Sequence, residues 1–510
     1  MVASIRTATV VGVEARPVDV EIELAQGLPF FSIIGLGDAA VKEARYRVQA
    51  ALRSAELHLP SKRITVNLAP AALRKDGASL DLPMAVGLLV AAGHLPPESV
   101  EGALIVGELS LSGHLRAVRG ALSIAALAKA SGRTKIIVPF DNGAEAASVA
   151  GIDVVASPTL EALVGHLKGE SVLPPPSTEV TPAAYDDEAC DFSEVRGQTL
   201  ARRALEIAAV GGHNVLMVGN PGAGKTMLAR RVGTILPPLS LTERIEVTQV
   251  HSAAGLTLRS GRLLDARPFR APHHTVSEAG LIGGGHPIRP GEVSLAHHGV
   301  LFLDEMPELP RHVLESLRQP MEDREVVIAR ARQTVRLPAS FMLVAAANPC
   351  PCGWLGSATG QCRCSSDEVS RYAGRISGAL LDRIDLIVET PAIDPEALMT
   401  DEASEPSSAI RERVAAARER GGERQGINAR LSGRQLRREA PLTRSARTLM
   451  KTCMAQLSLS ARGWERGLRV ARSIADLDGA ERIDENHVAE AMRYRRPSTW
   501  LAPTTMRAMV

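Results

Sequence analysis

The sequence predicts an α/β protein of several domains that ends in a helical region. Residues 1–168 alternate strand-like and helix-like patterns, and residues 191–393 place short apolar strands in front of amphipathic helices. Residues 394–510 are rich in Arg and Ala and have mostly helical spacing. The chain of 510 residues is long enough for three or four domains at about 100–200 residues each. We therefore expect two α/β domains followed by a C-terminal helical domain (394–510).

The N-terminal domain (1–168) is predicted from alternating strands. VDVEIELA (18–25) and RITVNLAP (63–70) alternate apolar and polar residues as half-buried strands do, and residues 38–55 have helical spacing. Residues 169–190 are rich in Pro, Ser, Thr and acidic residues, which is typical of a linker.

The central domain (191–393) contains three apolar strands that end in polar residues. These strands are NVLMVG (214–219), GVLFLDE (299–305) and FMLVAAANP (341–349). The pattern is typical of a parallel sheet with helices on its faces.

The composition argues against a membrane protein. The longest apolar run, 82–93, is shorter than the about 20 residues that a membrane helix needs, and the N-terminus lacks the apolar core of a secretory signal. We expect a cytoplasmic protein with reduced cysteines. The formal net charge of +2 is nearly neutral, but residues 411–450 hold eleven Arg and four acidic residues. This segment is either a solvated helix face or a surface that contacts phosphates.

A phosphate-binding loop follows the first strand of the central domain. GNPGAGKT matches G-x-x-x-x-G-K-[ST] and leads into the helical segment MLARRVGTIL. Backbone N–H groups of such a loop wrap a polyphosphate, Lys225 would reach the β- and γ-phosphates, and Thr226 would bind Mg²⁺. The residues expected at the nucleotide are Gly219, Asn220, Pro221, Gly222, Ala223, Gly224, Lys225 and Thr226.

Polar residues end the next two strands. Asp304 could hold Mg²⁺, Glu305 could polarise the attacking water, and Asn348 could orient that water without competing for the metal. The alternative for Asn348 is a plain strand-end cap. The sequence therefore predicts an ATPase with Mg²⁺ as its cofactor.

The order of these motifs resembles that of AAA+ ATPases. The segment RPFRAPHHTVSEAGLIGGGHPIRPGEVSLAHHGVLFLDE (267–305) resembles the signature of their magnesium-chelatase-like branch. The arrangement over nearly the whole chain, including NPCPCG and SARGWERGLRVARSIADLDG (460–479), resembles the ComM/YifB family. This resemblance implies a hexameric ring that translocates on DNA and promotes branch migration during recombination or natural transformation.

The resemblance also implies roles for arginines. Arg383, in LLDRIDL, occupies the place of the arginine that a neighbouring subunit contributes to ATP, with Arg375 as a second candidate. Arg462, in SARG, matches the sensor-2 arginine of the helical lid domain, and Asn348 becomes sensor 1. The alternative for each arginine is a salt bridge.

The segment EDREVVIARARQTVRLPASF (322–341) is predicted to form a hairpin. It resembles the pre-sensor-1 hairpin of replicative helicases, with Arg330 and Arg332 as DNA contacts, and the alternative is an ordinary charged tip. We assign no metal to the histidine pairs His273/His274 and His297/His298, which lack i, i+4 spacing.

The N-terminal domain resembles the Lon-protease fold. Ser79 lies near the place of the catalytic serine, but Leu122 stands where the activating lysine is expected. The resemblance therefore implies a non-proteolytic platform for DNA, ring assembly or partners.

Four of the six cysteines lie in NPCPCGWLGSATGQCRC (348–364). Cys350, Cys352, Cys362 and Cys364 suit a structural tetrahedral Zn²⁺, and free thiols are the alternative.

Three rival functions are disfavoured. Residues 1–168 argue against a magnesium-chelatase-type motor that acts on a protein partner, and the missing lysine argues against a Lon-like protease. The intact Lys225, Asp304 and Glu305 argue against a non-enzymatic DNA-binding scaffold.

Overall fold

The structure is a computed structural model of the chain. It describes residues 2–75, 77–176, 190–256, 263–330, 333–357, 360–392, 404–422, 427–457 and 459–495. Most of the predicted linker 169–190 lies outside the described residues. Among the helices of the described part, none is long and apolar enough to cross a membrane.

The N-terminal domain contains three sheets and five α-helices within its described residues. In chain order its elements are β1 (Val2–Val11), β2 (Glu14–Ala25), β3 (Phe30–Ile34), α1 (Ala39–Ser54), β4 (Arg63–Ala69), α2 (Asp81–Ala91), β5 (Ala103–Ile105), β6 (Glu108–Leu109), β7 (Leu115–Arg116), α3 (Ala121–Ala130), β8 (Lys135–Pro139), α4 (Gly143–Ala147), β9 (Asp153–Ser157) and α5 (Leu160–Leu167). The mixed four-stranded sheet has the order β1-β2-β4-β3, and the parallel three-stranded sheet has the order β5-β8-β9. The smallest sheet is the antiparallel pair β6–β7.

The strands and helix predicted for this domain are confirmed. Both alternating segments form strands of one sheet, β2 and β4, paired antiparallel. Helix α1 begins after Asp38, whose carboxylate accepts a hydrogen bond from the N–H of Val41 at 2.8 Å. Helix α2 is buried along its whole length and packs on β1, β2 and α1 in the apolar core of the domain. Its apolar sequence thus belongs to a protein core.

The central domain is built on one parallel sheet. Its elements are α6 (Thr199–Gly211), β10 (Val215–Val218), α7 (Lys225–Ile235), α8 (Leu241–Ala254), β11 (Phe269–Arg270), α9 (Glu278–Ile282), β12 (Gly283–Gly284), β13 (Arg289–Pro290), α10 (Glu292–Leu295), β14 (Val300–Leu303), α11 (Arg311–Ser316), α12 (Arg318–Asp323), β15 (Glu325–Arg330), β16 (Gln333–Pro338), β17 (Met342–Ala347), α13 (Ser366–Ala373), α14 (Gly378–Leu381) and β18 (Leu386–Glu389).

The sheet order is β11-β14-β17-β10-β18, and all its pairs are parallel. Since parallel strands share their direction, all carboxyl ends meet at one edge and all amino ends at the other. The three strands predicted from apolar runs are β10, β14 and β17, adjacent in the sheet. The polar residues that follow them therefore converge at the carboxyl edge, as predicted.

The C-terminal domain is helical, as predicted. Its described helices are α15 (Ser407–Gly422), α16 (Gly433–Glu439), α17 (Arg444–Gln456), α18 (Ala461–Leu477) and α19 (Glu485–Arg493). Helix α18 packs on α19 and on α6, and its buried side shares one apolar core with the central sheet. The C-terminal domain is thereby attached to one face of the sheet.

The N-terminal domain rests on the central domain through its first turn and through α3. Val11 and Val13, at the turn between β1 and β2, pack into the apolar cluster that holds Val335 and Leu337 of β16. The N–H of Gly120, just before α3, donates to the carbonyl of Ser252 in α8 at 3.2 Å. The hairpin β15–β16 therefore lies between the two domains.

Candidate nucleotide-binding site

The phosphate-binding loop (219–226) connects β10 to α7 at the carboxyl edge of the sheet. Gly222 and Gly224 have φ angles of 80° and 83°, a left-handed conformation that side chains disfavour. Helix α7 begins at Lys225 and runs for 11 residues. The loop therefore directs backbone N–H groups and the positive end of a helix dipole to one point, the arrangement that binds phosphate.

Lys225 lies inside this loop and is held by oxygens. Its Nζ donates to the carbonyls of Gly219 at 2.6 Å and Asn220 at 3.0 Å, and to Oδ1 of Asn348 at 3.2 Å. Burial lowers the pKa of Lys225, while the carboxylates of Asp304 and Glu305 counteract this shift. A polyphosphate entering the loop would replace these neutral partners with charged ones.

Thr226, Asp304 and Glu305 lie beside the lysine. The Thr226 hydroxyl donates to Oδ2 of Asp304 at 2.8 Å. Hydroxyl and carboxylate oxygens are ligands that Mg²⁺ accepts, so this pair fits the predicted metal. Glu305 has a positive φ of 47°, and its half-exposed carboxylate lies with Oε2 3.8 Å from Nδ1 of His274. The structure thus brings together Lys225, Thr226, Asp304, Glu305 and Asn348.

The cysteine loop (349–364) also touches the phosphate-binding loop. The side-chain amide of Asn220 donates to the carbonyl of Gly353 at 2.7 Å, and a Cβ on Gly353 would lie 2.7 Å from Cγ of Pro221. This contact between the two loops was not predicted from the sequence. Asn220 is the one residue of GNPGAGKT that indicates this contact in the sequence, because its side-chain amide needs a hydrogen-bond partner.

The four cysteine sulfurs of this loop form a cluster. All four Sγ atoms lie within 4.8 Å of one another, with Cys350 Sγ 3.8 Å from Cys362 Sγ and Cys352 Sγ 3.7 Å from Cys362 Sγ. Cys350 is buried and Cys352 is exposed. Cys364 is the fourth cysteine of this cluster.

Arg383 and Arg462 lie at the opposite edge of the sheet. The carbonyl of Arg383 accepts from the side chain of Asn214, which immediately precedes β10. Gly219 follows the same strand of four residues, so the two edges are separated by about 13 Å of strand at 3.3 Å per residue. Arg462 lines a cavity of about 410 Å³ together with Arg383. Neither arginine reaches the phosphate-binding loop of its own chain.

This cavity, which we call the arginine cavity, is strongly basic. Burial lowers the pKa of Arg324 to about 10, and the charges of Arg430 and Arg469 add to the shift. Eight arginines line the cavity against four acidic residues. These residues are Arg267, Arg324, Arg383, Arg418, Arg430, Arg462, Arg466 and Arg469, with Glu243, Glu322, Asp385 and Glu465. The excess of positive charge suits an anion.

Two donors in the cavity lack partners. Nε of Arg383 and Nη1 of Arg466 are buried and have no hydrogen-bond partner among the residues that the structure describes. The guanidinium of Arg383 also contacts Oε1 of Glu322 at 2.7 Å, and its side chain is 10% exposed. Arg466 was missed from sequence, although its i, i+4 spacing from Arg462 places both on one face of α18.

The predicted hairpin is confirmed as β15 and β16, in which Arg330 pairs with Gln333. Arg330 is exposed, and its guanidinium lies 2.9 Å from Nε2 of His286. His286 sits between the short strands β12 and β13, next to the exposed Arg289. Arg332 lies outside the described residues. A second polar loop, missed from sequence, therefore accompanies the hairpin tip.

Of the two histidine pairs, His297 and His298 gather around Glu246. Nδ1 of His297 accepts from the N–H of Ser340 at 3.0 Å, which leaves the proton on Nε2, and Nε2 lies 3.2 Å from Oε2 of Glu246. Burial lowers the pKa of His297 to about 4, so the ring is neutral. A nitrogen that carries its proton cannot bind a metal. The geometry therefore gives His297 a hydrogen-bonding role.

In the N-terminal domain, Leu122 is fully buried in α3. The buried Lys75 donates to the carbonyls of Leu68 at 2.8 Å and of Pro70. The amine of Lys75 is therefore held by backbone carbonyl groups. Ser79 lies just before α2, and the absence of a Ser–Lys dyad stays a prediction.

Comparisons with known proteins cover most of the chain. Residues 191–398 match the family described as magnesium chelatase, subunit ChlI, residues 404–495 match its C-terminal family, and residues 20–142 match the family subunit ChlI of Mg-chelatase. Competence protein ComM of Haemophilus influenzae is 42% identical over 490 residues, 95% of each chain. YifB of Escherichia coli is 42% identical over 500 residues, 96% of each chain. The magnesium-chelatase 38 kDa subunit of Cereibacter sphaeroides is 24% identical over 58% of this chain and 88% of its own length.

Proposed function

The chain belongs to the ComM/YifB family of magnesium-chelatase-like AAA+ ATPases, and we propose that it is an ATP-driven DNA motor. In this proposal a ring of identical subunits, a hexamer, translocates on DNA and moves branched junctions during recombination or natural transformation. The ring is inferred from one observation: the residues assigned to the nucleotide lie at two opposite edges of one sheet.

One edge holds the groups that bind and cleave ATP. Lys225 contacts the β- and γ-phosphates, Thr226 and Asp304 hold Mg²⁺, and Glu305 polarises the attacking water. Mg²⁺ supplies charge neutralisation on the phosphates when bound. Asn348 lies 3.2 Å from Lys225 and orients the same water. These roles are supported by the hydrogen bonds that join Lys225 to Asn348 and Thr226 to Asp304 at one edge of the sheet.

The other edge holds the arginines that hydrolysis needs. Because Arg383 and Arg462 line the arginine cavity on the far side of the sheet, they serve the ATP of a neighbouring subunit. Nε of Arg383 and Nη1 of Arg466 make no hydrogen bond among the described residues, although Nη1 lies 4.0 Å from Oδ1 of Asp382, and these donors support an anion there. A fork of N–H donors meets phosphate oxygens in a bidentate way and stabilises the charge that develops on the γ-phosphate. A site divided in this way is incomplete without a second copy of the chain.

DNA is the polymer along which the ring is proposed to move. The relative from Haemophilus influenzae is named a competence protein, and the exposed Arg330 is placed at a hairpin tip where it could contact phosphates. Such contacts are independent of base sequence and sensitive to salt. Helices α11 and α12 begin 7 and 14 residues after Asp304 and lead into the hairpin, so they would transmit changes at the nucleotide to its tip.

A structural Zn²⁺ in the cluster of Cys350, Cys352, Cys362 and Cys364 completes the proposed cofactors. Thiolates prefer zinc among common cellular cations, and a site closed by four of them leaves no position for substrate. Zinc therefore has no catalytic role in this proposal.

The second candidate function is a magnesium-chelatase-type motor that acts on a protein partner. All three matching families carry the ChlI name. Against it, the chelatase subunit from Cereibacter sphaeroides aligns with 58% of this chain, whereas ComM aligns with 95%.

The assay that separates these functions measures ATP turnover with and without a synthetic four-way junction, and strand exchange on that junction. We expect DNA to stimulate turnover and the junction to be processed. Turnover that is indifferent to every DNA and that rises with a chelatase partner would contradict the DNA motor.

Substitution of Arg330 should separate DNA binding from ATP hydrolysis. We expect Arg330→Ala to weaken DNA binding and to reduce the slope of log Kd against log salt by about 1 for each DNA phosphate that the variant no longer binds. Basal ATP turnover without DNA should stay unchanged, because Arg330 is remote from the phosphate-binding loop. Fluorescence anisotropy with labelled DNA over a salt series measures the effect.

Arg336→Ala is the matched control for this substitution. Arg336 lies on the other strand of the same hairpin, is exposed, and is paired with Glu325. The substitution Arg336→Ala removes one positive charge, as Arg330→Ala does, but nearer the base of the hairpin than its tip. Equal weakening of DNA binding by both variants would indicate a general charge effect and would count against the tip as the contact.

A further inference from the structure

The cluster of four cysteine sulfurs has the dimensions of a filled metal site. A tetrahedral Zn²⁺ with Zn–S bonds of about 2.3 Å separates its sulfurs by about 3.8 Å. The Sγ distances of 3.8 Å between Cys350 and Cys362 and of 3.7 Å between Cys352 and Cys362 match this value, and the Sγ atoms of Cys350 and Cys352 are closer, at 3.3 Å. A disulfide would need about 2.05 Å. The four sulfurs therefore surround one point and do not form two separate pairs.

Backbone donors support the sulfurs. The N–H groups of Trp354 and Arg363 hydrogen-bond to Cys352, and that of Cys364 hydrogen-bonds to Cys362. Such bonds stabilise thiolate ligands and fix their direction, as outer groups do in metal sites. Uncharged thiols would gain less from them.

The same loop is attached to the nucleotide site at two places. At its start, Cys350 follows Asn348 by two residues, and Oδ1 of Asn348 accepts from Lys225. The turn from Cys350 to Gly353 is closed by a bond from the N–H of Gly353 to the carbonyl of Cys350 at 2.9 Å. The carbonyl of Gly353 then accepts from Asn220.

The contact between the loops leaves little freedom. Gly353 has a φ of 83°, and a Cβ there would lie 2.7 Å and 2.8 Å from Cγ and Cδ of Pro221. Gly353 thus packs directly on the phosphate-binding loop, one residue after a cysteine of the cluster. A movement of Cys352 must move Gly353 and, through it, Asn220 and Pro221.

From these contacts we infer that a Zn²⁺ bound by Cys350, Cys352, Cys362 and Cys364 sets the conformation of the phosphate-binding loop and so its affinity for nucleotide. The inference rests on the proposed ATP site at residues 219–226. Without the ion, the four sulfurs lose the bonds that would hold them within 4.8 Å of one another. By thermodynamic linkage, nucleotide must raise the affinity for zinc by the same factor by which zinc raises the affinity for nucleotide.

The test begins with the purified full chain. We expect close to one zinc per chain by mass spectrometry of metals. Removal of zinc by a chelator under reducing conditions should raise the Kd for a fluorescent ATP analogue by roughly tenfold, within the usual range of coupling between sites. Re-addition of Zn²⁺ should restore the affinity. Absence of metal, iron in place of zinc, or an unchanged Kd after zinc removal would each overturn the inference.

Three variants make the result independent of folding defects. Cys352→Ser should lose zinc and nucleotide affinity together, whereas Cys453→Ser, which alters a cysteine of α17 outside the cluster, should lose neither. Gly353→Ala should keep its zinc and still bind nucleotide more weakly, because the added Cβ displaces Pro221. Gly353→Ala with unchanged affinity would contradict the coupling.

The outcome also separates this inference from the proposed ATP site. If the zinc-loaded wild-type chain binds no nucleotide, the ATP site itself is wrong. If it binds nucleotide and zinc removal leaves that binding unchanged, the ATP site stands and the coupling is wrong. The reciprocal measurement, release of zinc to a chromogenic chelator with and without nucleotide, gives the same factor in a readout that needs no ATP hydrolysis.

Discussion

Lys225→Ala is expected to reduce ATP turnover by roughly 10²–10³-fold, the cost of removing one preorganised charge donor from a transition state. The Nζ of Lys225 lies among the carbonyls of Gly219 and Asn220 and the side chain of Asn348, at the point where the phosphate-binding loop closes. No other lysine or arginine among the described residues hydrogen-bonds to these three oxygens. Stimulation by DNA and junction processing should disappear together with turnover, because both depend on hydrolysis.

Lys451→Ala serves as the control. Lys451 is exposed on α17, so its removal changes the net charge by the same amount away from the loop. Phosphate release at saturating ATP measures both variants, and equilibrium binding of an ATP analogue shows whether the loop still forms. Turnover of Lys225→Ala within a few-fold of the wild type would contradict the assignment of the ATP site.

The central site was predictable because its signals are local. GNPGAGKT, the DE of GVLFLDE and the Asn of FMLVAAANP each follow a strand. Once the strands are parallel neighbours, their ends must meet at one edge. The contacts of Lys225 with Asn348 and of Thr226 with Asp304 lie at that edge. The fold of the central domain and the convergence of these side chains were therefore both available from the sequence.

Other features depend on contacts between distant segments, which sequence patterns do not specify. Gly353 meets Asn220 across 133 residues of chain. The loop that holds His286 meets Arg330 across 44 residues. The edge at which Arg383 and Arg462 lie was also hidden in the sequence, because a helix such as α18 can pack toward either end of the strands without any change of its amphipathic pattern. Only the packed chain shows that these arginines face away from the loop.

Arg383→Ala is expected to reduce ATP turnover by about 10³-fold, at the lower end of the effect of arginines that act on a transferred phosphoryl group. Binding of an ATP analogue should change little, because Arg383 is at the opposite edge of the sheet from the phosphate-binding loop of its own chain. Arg383→Lys should recover a small part of the turnover, since an ammonium keeps the charge but lacks the planar fork. Arg447→Ala, at an exposed position of α17, is the control for removal of an arginine.

Mixing two inactive variants tests whether Arg383 acts between subunits. In a mixed ring, an Arg383→Ala subunit brings an intact phosphate-binding loop, and a Lys225→Ala neighbour brings an intact Arg383. Interfaces of this kind contain a complete site, so the mixture should hydrolyse ATP faster than either variant alone. If Arg383 acted within its own chain, every subunit of the mixture would lack one essential group, and turnover would stay at the level of the separate variants. Because each subunit presents both edges of its sheet, recovery of turnover on mixing would also show that the chains assemble head to tail, as a closed ring requires.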